Sequence, residues 1–222
     1  MAGPLTGVAM ALFAGGVAEL DGGSSVAASE ESQNVAAAVD ELLGQLVIAV
    51  ESDAPYDRRR FRDWIDADRD GCDTRREVLI AERTRGQIDD CRVIGGRWFS
   101  MYDGEVVTDP NLLQIDHLVA LGEAWDSGAD VWDDARRGRY SNDLGYRNAL
   151  IAVTVRSNSQ KSDHDPTDWV PTRRASWCRY ATAWTTVKIR WQLTADPEEV
   201  VALRRLFATC RTNPPTAVTL AL

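Results

Sequence analysis

Apolar residues recur at Val35, Val39, Leu42, Leu43, Leu46 and Val47, the spacing of one helix face, and Asp53 to Pro55 closes that pattern. The spacing predicts an amphipathic helix over 35–50. Further helices are predicted over 58–65, 77–84, 118–125, 130–137 and 172–187. Asp196-Pro197-Glu198 supplies an N-cap, a proline at the first helical position and an acid in the first turn, so a helix from there to Cys210 is expected. Strand signals are shorter. Arg97 to Tyr102 and Glu105 to Thr108 flank Asp103-Gly104, a hairpin pattern. Asn111 to Ile115 is a short strand candidate ending at Asp116-His117. Asn148 to Val155 is an almost unbroken apolar run, the best buried strand in the chain, and Ser157 is placed to cap a short helix through Asp163. Helices and strands interleave irregularly, which predicts an α+β fold.

The ends of the chain read differently from its middle. Residues 1–32 are rich in Gly, Ala and Ser and are expected to be a leader, signal-like or disordered. Their apolar run, Gly7 to Ala18, is too short to span a bilayer and has no basic residue before it. A single domain is expected over 33–210, with a disordered tail over 211–222. No later segment is a membrane span. Composition is ordinary for a globular domain of 222 residues, with 44% hydrophobic and 27% charged residues. Most of the eight Trp are expected in the core.

The formal charge of −9 argues against a polyanion-binding protein until it is mapped. No Lys or Arg precedes Arg58, while nine acids do. The remaining 25 acids balance the 25 bases, so the body is neutral and Arg-rich. Such a body can carry a local basic groove, although global steering of a polyanion would be weak. The four cysteines, Cys72, Cys91, Cys178 and Cys210, form no CxxC pair. An even count fits an exported, disulfide-bonded chain, secreted or held in the cell envelope. Of the three connectivities, the sequence-local pairs Cys72–Cys91 and Cys178–Cys210 are the natural reading.

The chemistry concentrates in Ile115-Asp116-His117-Leu118-Val119, Asn148, and Asn158-Ser159-Gln160-Lys161-Ser162-Asp163. Strand, Asp-His, strand and helix would bring Asp116 and Asn158 to one hard divalent cation, with His117 facing the same spot. Carboxylate and amide oxygens suit Mg²⁺, Mn²⁺ or Ca²⁺. A neutral imidazole can take the proton from a water attacking phosphorus. Lys161, one turn after Asn158, is a candidate phosphate contact. Asn148 is a candidate for fixing the His117 loop.

These residues resemble the HNH (ββα-metal) nucleases, in particular an exported, actinobacterial-type branch related to the C-terminal nuclease domain of GmrSD-type restriction enzymes. The resemblance covers roughly 56–210. It includes Asp70 through Arg75 with Glu77-Val78-Leu79, Tyr102-Asp103-Gly104, Ile115-Asp116-His117, Ala124 through Ala129, Ser141-Asn142-Asp143, Asn158 through Lys161, Pro166, Trp169, and Cys178 with Tyr180. It implies a ββα-metal core with His117 as general base, Asp116 and Asn158 as metal ligands and Asn148 as a structural residue. It also implies cleavage to a 5′-phosphate and a 3′-hydroxyl. The last motif position, often His, is Asn here, and Ala120 stands where Pro is common. The expected function is a weakly sequence-specific endonuclease on DNA, with RNA as a further candidate. Arg75, Asn142 and Arg156 are substrate or supporting candidates, and Arg136, Arg137, Arg139 and Arg147 are candidate backbone contacts.

A second motif competes. Asp66, Asp68, Asp70, Gly71 and Glu77 fit the D-x-D-x-D-G-x₅-E pattern of a calcium loop, although Asp73 stands where an apolar anchor is usual. A structural Ca²⁺ there, and with it a non-enzymatic secreted calcium-binding domain, is one alternative. A phosphodiesterase for small molecules is the other.

Overall fold

The computed structural model describes residues 1, 3, 22–67 and 69–221, with side chains from Glu30 onward in the first helix. The apolar run Gly7 to Ala18 and Asp68 of the acidic loop lie outside the described residues. In chain order the elements begin with α1 (Gly22–Leu43), β1 (Val47–Ile48), α2 (Thr74–Glu82), β2 (Ile88–Asp89) and β3 (Arg92–Val93). They continue with β4 (Trp98–Phe99), β5 (Val106–Val107), β6 (Leu113–His117), α3 (Leu121–Asp126) and α4 (Asp134–Ser141). The last are β7 (Leu150–Thr154), α5 (Val155–Lys161), α6 (Trp177–Trp191), β8 (Thr194–Ala195) and α7 (Pro197–Phe207). The α+β class and both expected disulfides, Cys72–Cys91 and Cys178–Cys210, are present.

The centre is the antiparallel ribbon β6–β7, in register from Leu113 opposite Thr154 to His117 opposite Leu150. Side chains alternate across a ribbon. One face carries Leu113, Ile115, Leu150 and Ala152, which pack with Val78 and Leu79 of α2 and with Trp98. Trp98 is fully buried, and its indole N–H donates to Leu79 O at 2.7 Å, so the large ring leaves no unpaired polar group. The other face sends Ile151 and Val153 into the main core with Leu118, Tyr102, Tyr180 and Trp184. A two-stranded ribbon is marginal alone; here both faces are covered. α6, buried nearly all round, is the centre of the main core, and α7 and α1 close it through Leu203, Leu206, Val39 and Leu42.

Several boundaries differ from expectation for local reasons. α1 stops at Leu43, where the bonds tighten to Gln45 N on Leu42 O and Leu46 N on Leu43 O, and Val47–Ile48 pairs in parallel with Thr194–Ala195 instead of continuing the helix. Its start at Gly22 lies inside the stretch read as leader. The 58–65 segment is helical only as a 3-10 turn at Arg58–Arg60. The hairpin pairs at Trp98–Val107 and Phe99–Val106 only, leaving 100–105 as a wide turn. α5 is capped by Thr154, not Ser157: Thr154 Oγ accepts from Ser157 N, while Ser157 is buried and donates to Asp103. α6 starts later than 172 and runs on to Trp191. The tail, expected to be disordered, lies along the body in its described part. Ala221 N–H donates to Arg190 O, Arg190 donates to Thr219 O, and Val218 packs on the core.

Candidate active site

β6, β7 and α5 form a strand-strand-helix unit with Asp116 and His117 at the end of the first strand. Neighbouring strand residues point to opposite faces, so the two side chains leave the ribbon on different sides. Asp116 and Gln114 face α5. There Lys161 Nζ donates to Asp116 Oδ1 and to His117 O, both at 3.0 Å, and Asn158 Nδ2 donates to Gln114 Oε1 at 2.8 Å. Tyr102 OH donates to Asp116 Oδ2 at 2.5 Å. His117 faces α4, with Nε2 2.9 Å from the carbonyl oxygen of Ser141. All three candidate residues nevertheless meet in one cleft of about 300 Å³, whose lining includes Asp116, His117 and Asn158 as well as Tyr56, Arg58, Trp64 and Asp163. Larger grooves exist, one of about 1000 Å³ beside α4 and the tail, but it has no histidine.

A carbonyl oxygen can only accept, so the hydrogen bond to Ser141 places the proton of neutral His117 on Nε2 and leaves the Nδ1 lone pair as the basic site. Burial lowers its pKa to about 4, so the ring is neutral at physiological pH. The ring lies between Tyr140, stacked at 6.3 Å, and Trp64, tilted at 5.5 Å. Trp64 holds that position with φ +57, a left-handed conformation that costs roughly 1–2 kcal/mol for a residue with a Cβ. Burial raises the pKa of Asp116 even against the lowering effects of Lys161 and Tyr102. A carboxylate has about four lone-pair positions, of which these two partners use two. Hard oxygens from Asp116 and Asn158 thus suit a divalent cation.

Other sequence candidates take different places. Lys161 is completely buried and holds Asp116 and the strand end, so it is not a surface phosphate contact. Asn148 accepts from Arg179 at 2.7 Å and donates to Tyr146; the His117 loop is held instead by Leu118 N donating to Ala149 O. Arg75 donates to Leu113 O and Pro110 O, bracing the start of β6. Arg137 is fully buried on Ala129 O and Asp134, so it is not available to a substrate backbone, while half-buried Arg136 donates to Trp191 O. Arg156 is exposed on α5, on the same short helix as Asn158.

In the acidic loop, Asp66 accepts from Gly71 N, Asp70 from Cys72 N, and Asp73 caps α2. These bonds fold the loop on itself. Among the described residues, Asp66, Asp70 and Glu77 do not converge as a ligand set. The groups that do converge are Asp70 with the disulfide-bonded Cys72 and Cys91, and Asp165 with Asp196 and Glu199. Sequence reasoning missed Tyr102, Ser141 and Trp64. The Tyr102-Asp103-Gly104 and Ser141-Asn142-Asp143 fragments carried a signal without a role for Tyr102 or Ser141, and Trp64 carried none.

The family model for the C-terminal domain of GmrSD restriction endonucleases matches residues 58–206. The chain belongs to this family. The GmrSD C-terminal match starts at the 3-10 turn beside the cleft and ends in α7, leaving α1 outside. A protein of Arthroderma benhamiae (strain ATCC MYA-4681 / CBS 112371), named an uncharacterized secreted protein, is 38% identical over 156 residues, which is 70% of this chain and 76% of that one. No solved structure matches. Membership of a family of endonuclease domains assigns the chain to the nuclease hydrolases. Among the described residues no helix is long and apolar enough to cross a membrane.

Proposed function

We propose that the protein is a secreted, metal-dependent HNH endonuclease that hydrolyses phosphodiester bonds in DNA, and in RNA at a rate to be measured, with little sequence preference. One observation carries the reading. A neutral histidine has its Nε2 tied to a carbonyl and shares a cleft with the carboxylate of Asp116 and the amide of Asn158. His117 Nδ1 accepts the proton of a water as that water attacks phosphorus. Asp116 and Asn158 hold one divalent cation, Mg²⁺, Mn²⁺ or Ca²⁺, which when bound stabilises charge on the phosphoryl and leaving oxygens. Lys161 and Tyr102 keep Asp116 oriented. Ser141 keeps His117 in the tautomer that can accept. Export is supported by two disulfides with no free cysteine among the described residues, and by the printed name of the fungal relative.

The test is digestion of plasmid DNA and of single-stranded RNA with each of the three ions, for the wild type and His117→Ala. Loss of a positioned general base is expected to slow cleavage by about 10²–10⁴-fold while the fold persists. Undamaged polymer under all three ions with the folded wild type overturns the reading. Hydrolysis of a bis-aryl phosphate with no cut in either polymer would identify a small-molecule phosphodiesterase.

A further inference from the structure

The sequence left Asn142 as a possible substrate contact, and the structure leaves it no capacity for one. Its Oδ1 accepts from Ile65 N at 3.1 Å and lies 2.8 Å from Thr74 Oγ. Its Nδ2 donates to Arg62 O at 2.6 Å and to Gly138 O at 2.7 Å. A primary amide makes at most four such bonds; Asn142 makes three outright and shares the single Thr74 hydroxyl proton with Ile65 O. The partners fix the amide orientation without ambiguity, because the Nδ2 side meets two carbonyl oxygens and the Oδ1 side meets a backbone N–H.

The bonds have a pattern. Arg62 O and Ile65 N lie on either side of Trp64, the residue held at positive φ with its ring on His117. Thr74 N and Oγ also lie near Ile65 O, at 3.0 and 2.9 Å, which ties the same loop to the start of α2. Gly138 belongs to α4, and Ser141, the residue before Asn142, holds His117 Nε2. Two successive residues at the end of α4 therefore grip the two things that define the environment of the base. Ser141 grips the ring itself, and Asn142 grips the loop that lays Trp64 over it.

We propose that Asn142 is a positioning residue: it clamps the 62–65 loop so that Trp64 stays seated on His117, sealing one side of the imidazole and leaving the cleft as its route to water and substrate. The proposal rests on His117 being the base, but its first test does not. Without the clamp, Trp64 has a strained backbone tied on one side only, through Ile65 O on Thr74, and it swings away. His117 then becomes accessible from the wrong side and loses its fixed place relative to Asp116.

The chain has two histidines, and His164 is exposed, so it serves as an internal reference. Metal-free protein is treated with diethyl pyrocarbonate at pH 7 and the modification of each histidine is followed by mass spectrometry. In the wild type, His117 is expected to react at least about tenfold more slowly than His164, as a group protected by local structure does. Asn142→Ala brings the two rates together. Asn142→Asp keeps the acceptor for Ile65 and Thr74, loses both donors, and falls between. Trp64→Gly, which suits the positive φ, unmasks His117 with Asn142 intact. In digestion assays the Asn142 variants lower kcat by more than they raise KM, because what they displace is the ring beside the base. Continued protection of His117 in either folded Asn142 variant overturns the proposal, as does an unchanged kcat. Should Asn142→Ala not fold, Asn142→Asp decides by the same reading. A wild type that labels as expected yet cuts no polymer would leave the clamp standing and sink only the nuclease.

Discussion

The chain has two lysines, and the fold buries both completely with their ammonium groups on carboxylates. Lys161 meets one acid, Asp116, and one carbonyl, His117 O. Lys188 meets two acids, Glu123 and Glu199, at 2.6 Å each, with Ser127 Oγ and Thr194 O at 2.9 Å. Trp184 donates to the other oxygen of Glu199 and Ser127 to Glu123. The Lys188 centre sits between α3, α6 and α7 and joins three segments far apart in sequence, and each of its acids accepts two hydrogen bonds. Asp116 accepts two as well, but the Lys161 centre stands at the rim of a cleft. A buried ion pair is therefore not the sign of a reactive site; access is.

That contrast is tested first at Lys161. Replacing it with Met removes the partner of a buried carboxylate, a change that typically destabilises by about 3–5 kcal/mol, and it also releases the strand end that carries His117. Both melting temperature and cleavage per folded molecule are expected to fall, the latter by at least about 10²-fold, because a small misplacement of catalytic groups costs that much. Digestion of DNA by protein shown to be folded by circular dichroism checks it. Wild-type cleavage by the folded variant would remove Lys161 from the site. Lys188→Met should lower stability by a similar amount and leave cleavage per folded molecule unchanged. If activity fell with it in the folded fraction, the two centres would be coupled and the contrast would fail.

The sequence made one of these centres legible and hid the other. Asp116-His117 follows a strand pattern and Asn158-x-x-Lys161 opens a helix pattern, so chemistry-bearing residue types marked the site. Nothing in Glu123, Lys188 or Glu199 announces a triad, because the spacing is set by the packing of three helices. The same limit applies near the site. Tyr102 and Ser141 act on Asp116 and His117 from other segments, and Ser141 acts through a backbone carbonyl that any residue could supply. Lys161 was misread for a physical reason: lysines are rarely fully buried, and a surface role is the default until a buried acid is seen beside it. The helix registers around Val35–Leu46 and Pro197–Phe207 were readable because periodic apolar faces and a capping Asp act locally. The short strands were not, since two-residue pairings such as Val47–Ile48 with Thr194–Ala195 depend on long-range docking.

The Lys188 centre should also answer to pH. Burial, opposed by Lys188, pushes the Glu199 carboxyl up to about 7, and two acids facing one lysine leave a proton to be held. Between pH 4.5 and 7 the folded protein keeps that proton while the unfolded chain, with an ordinary glutamate, has released it. The folded state binds more protons in this window, so stability from this centre is full below about pH 4.5 and falls as pH rises through 7. The loss is at most about 3 kcal/mol, taking about 1.4 kcal/mol for each unit of displacement. Glu199→Gln mimics the protonated side chain and leaves Lys188 with one acid, so the dependence should flatten and the variant should gain on the wild type at pH 8 relative to pH 5. Urea unfolding at those two pH values measures it. A wild-type stability that rises from pH 5 to 8 through Glu199, or a Gln variant with the same slope, would mean that the Lys188 centre holds no proton.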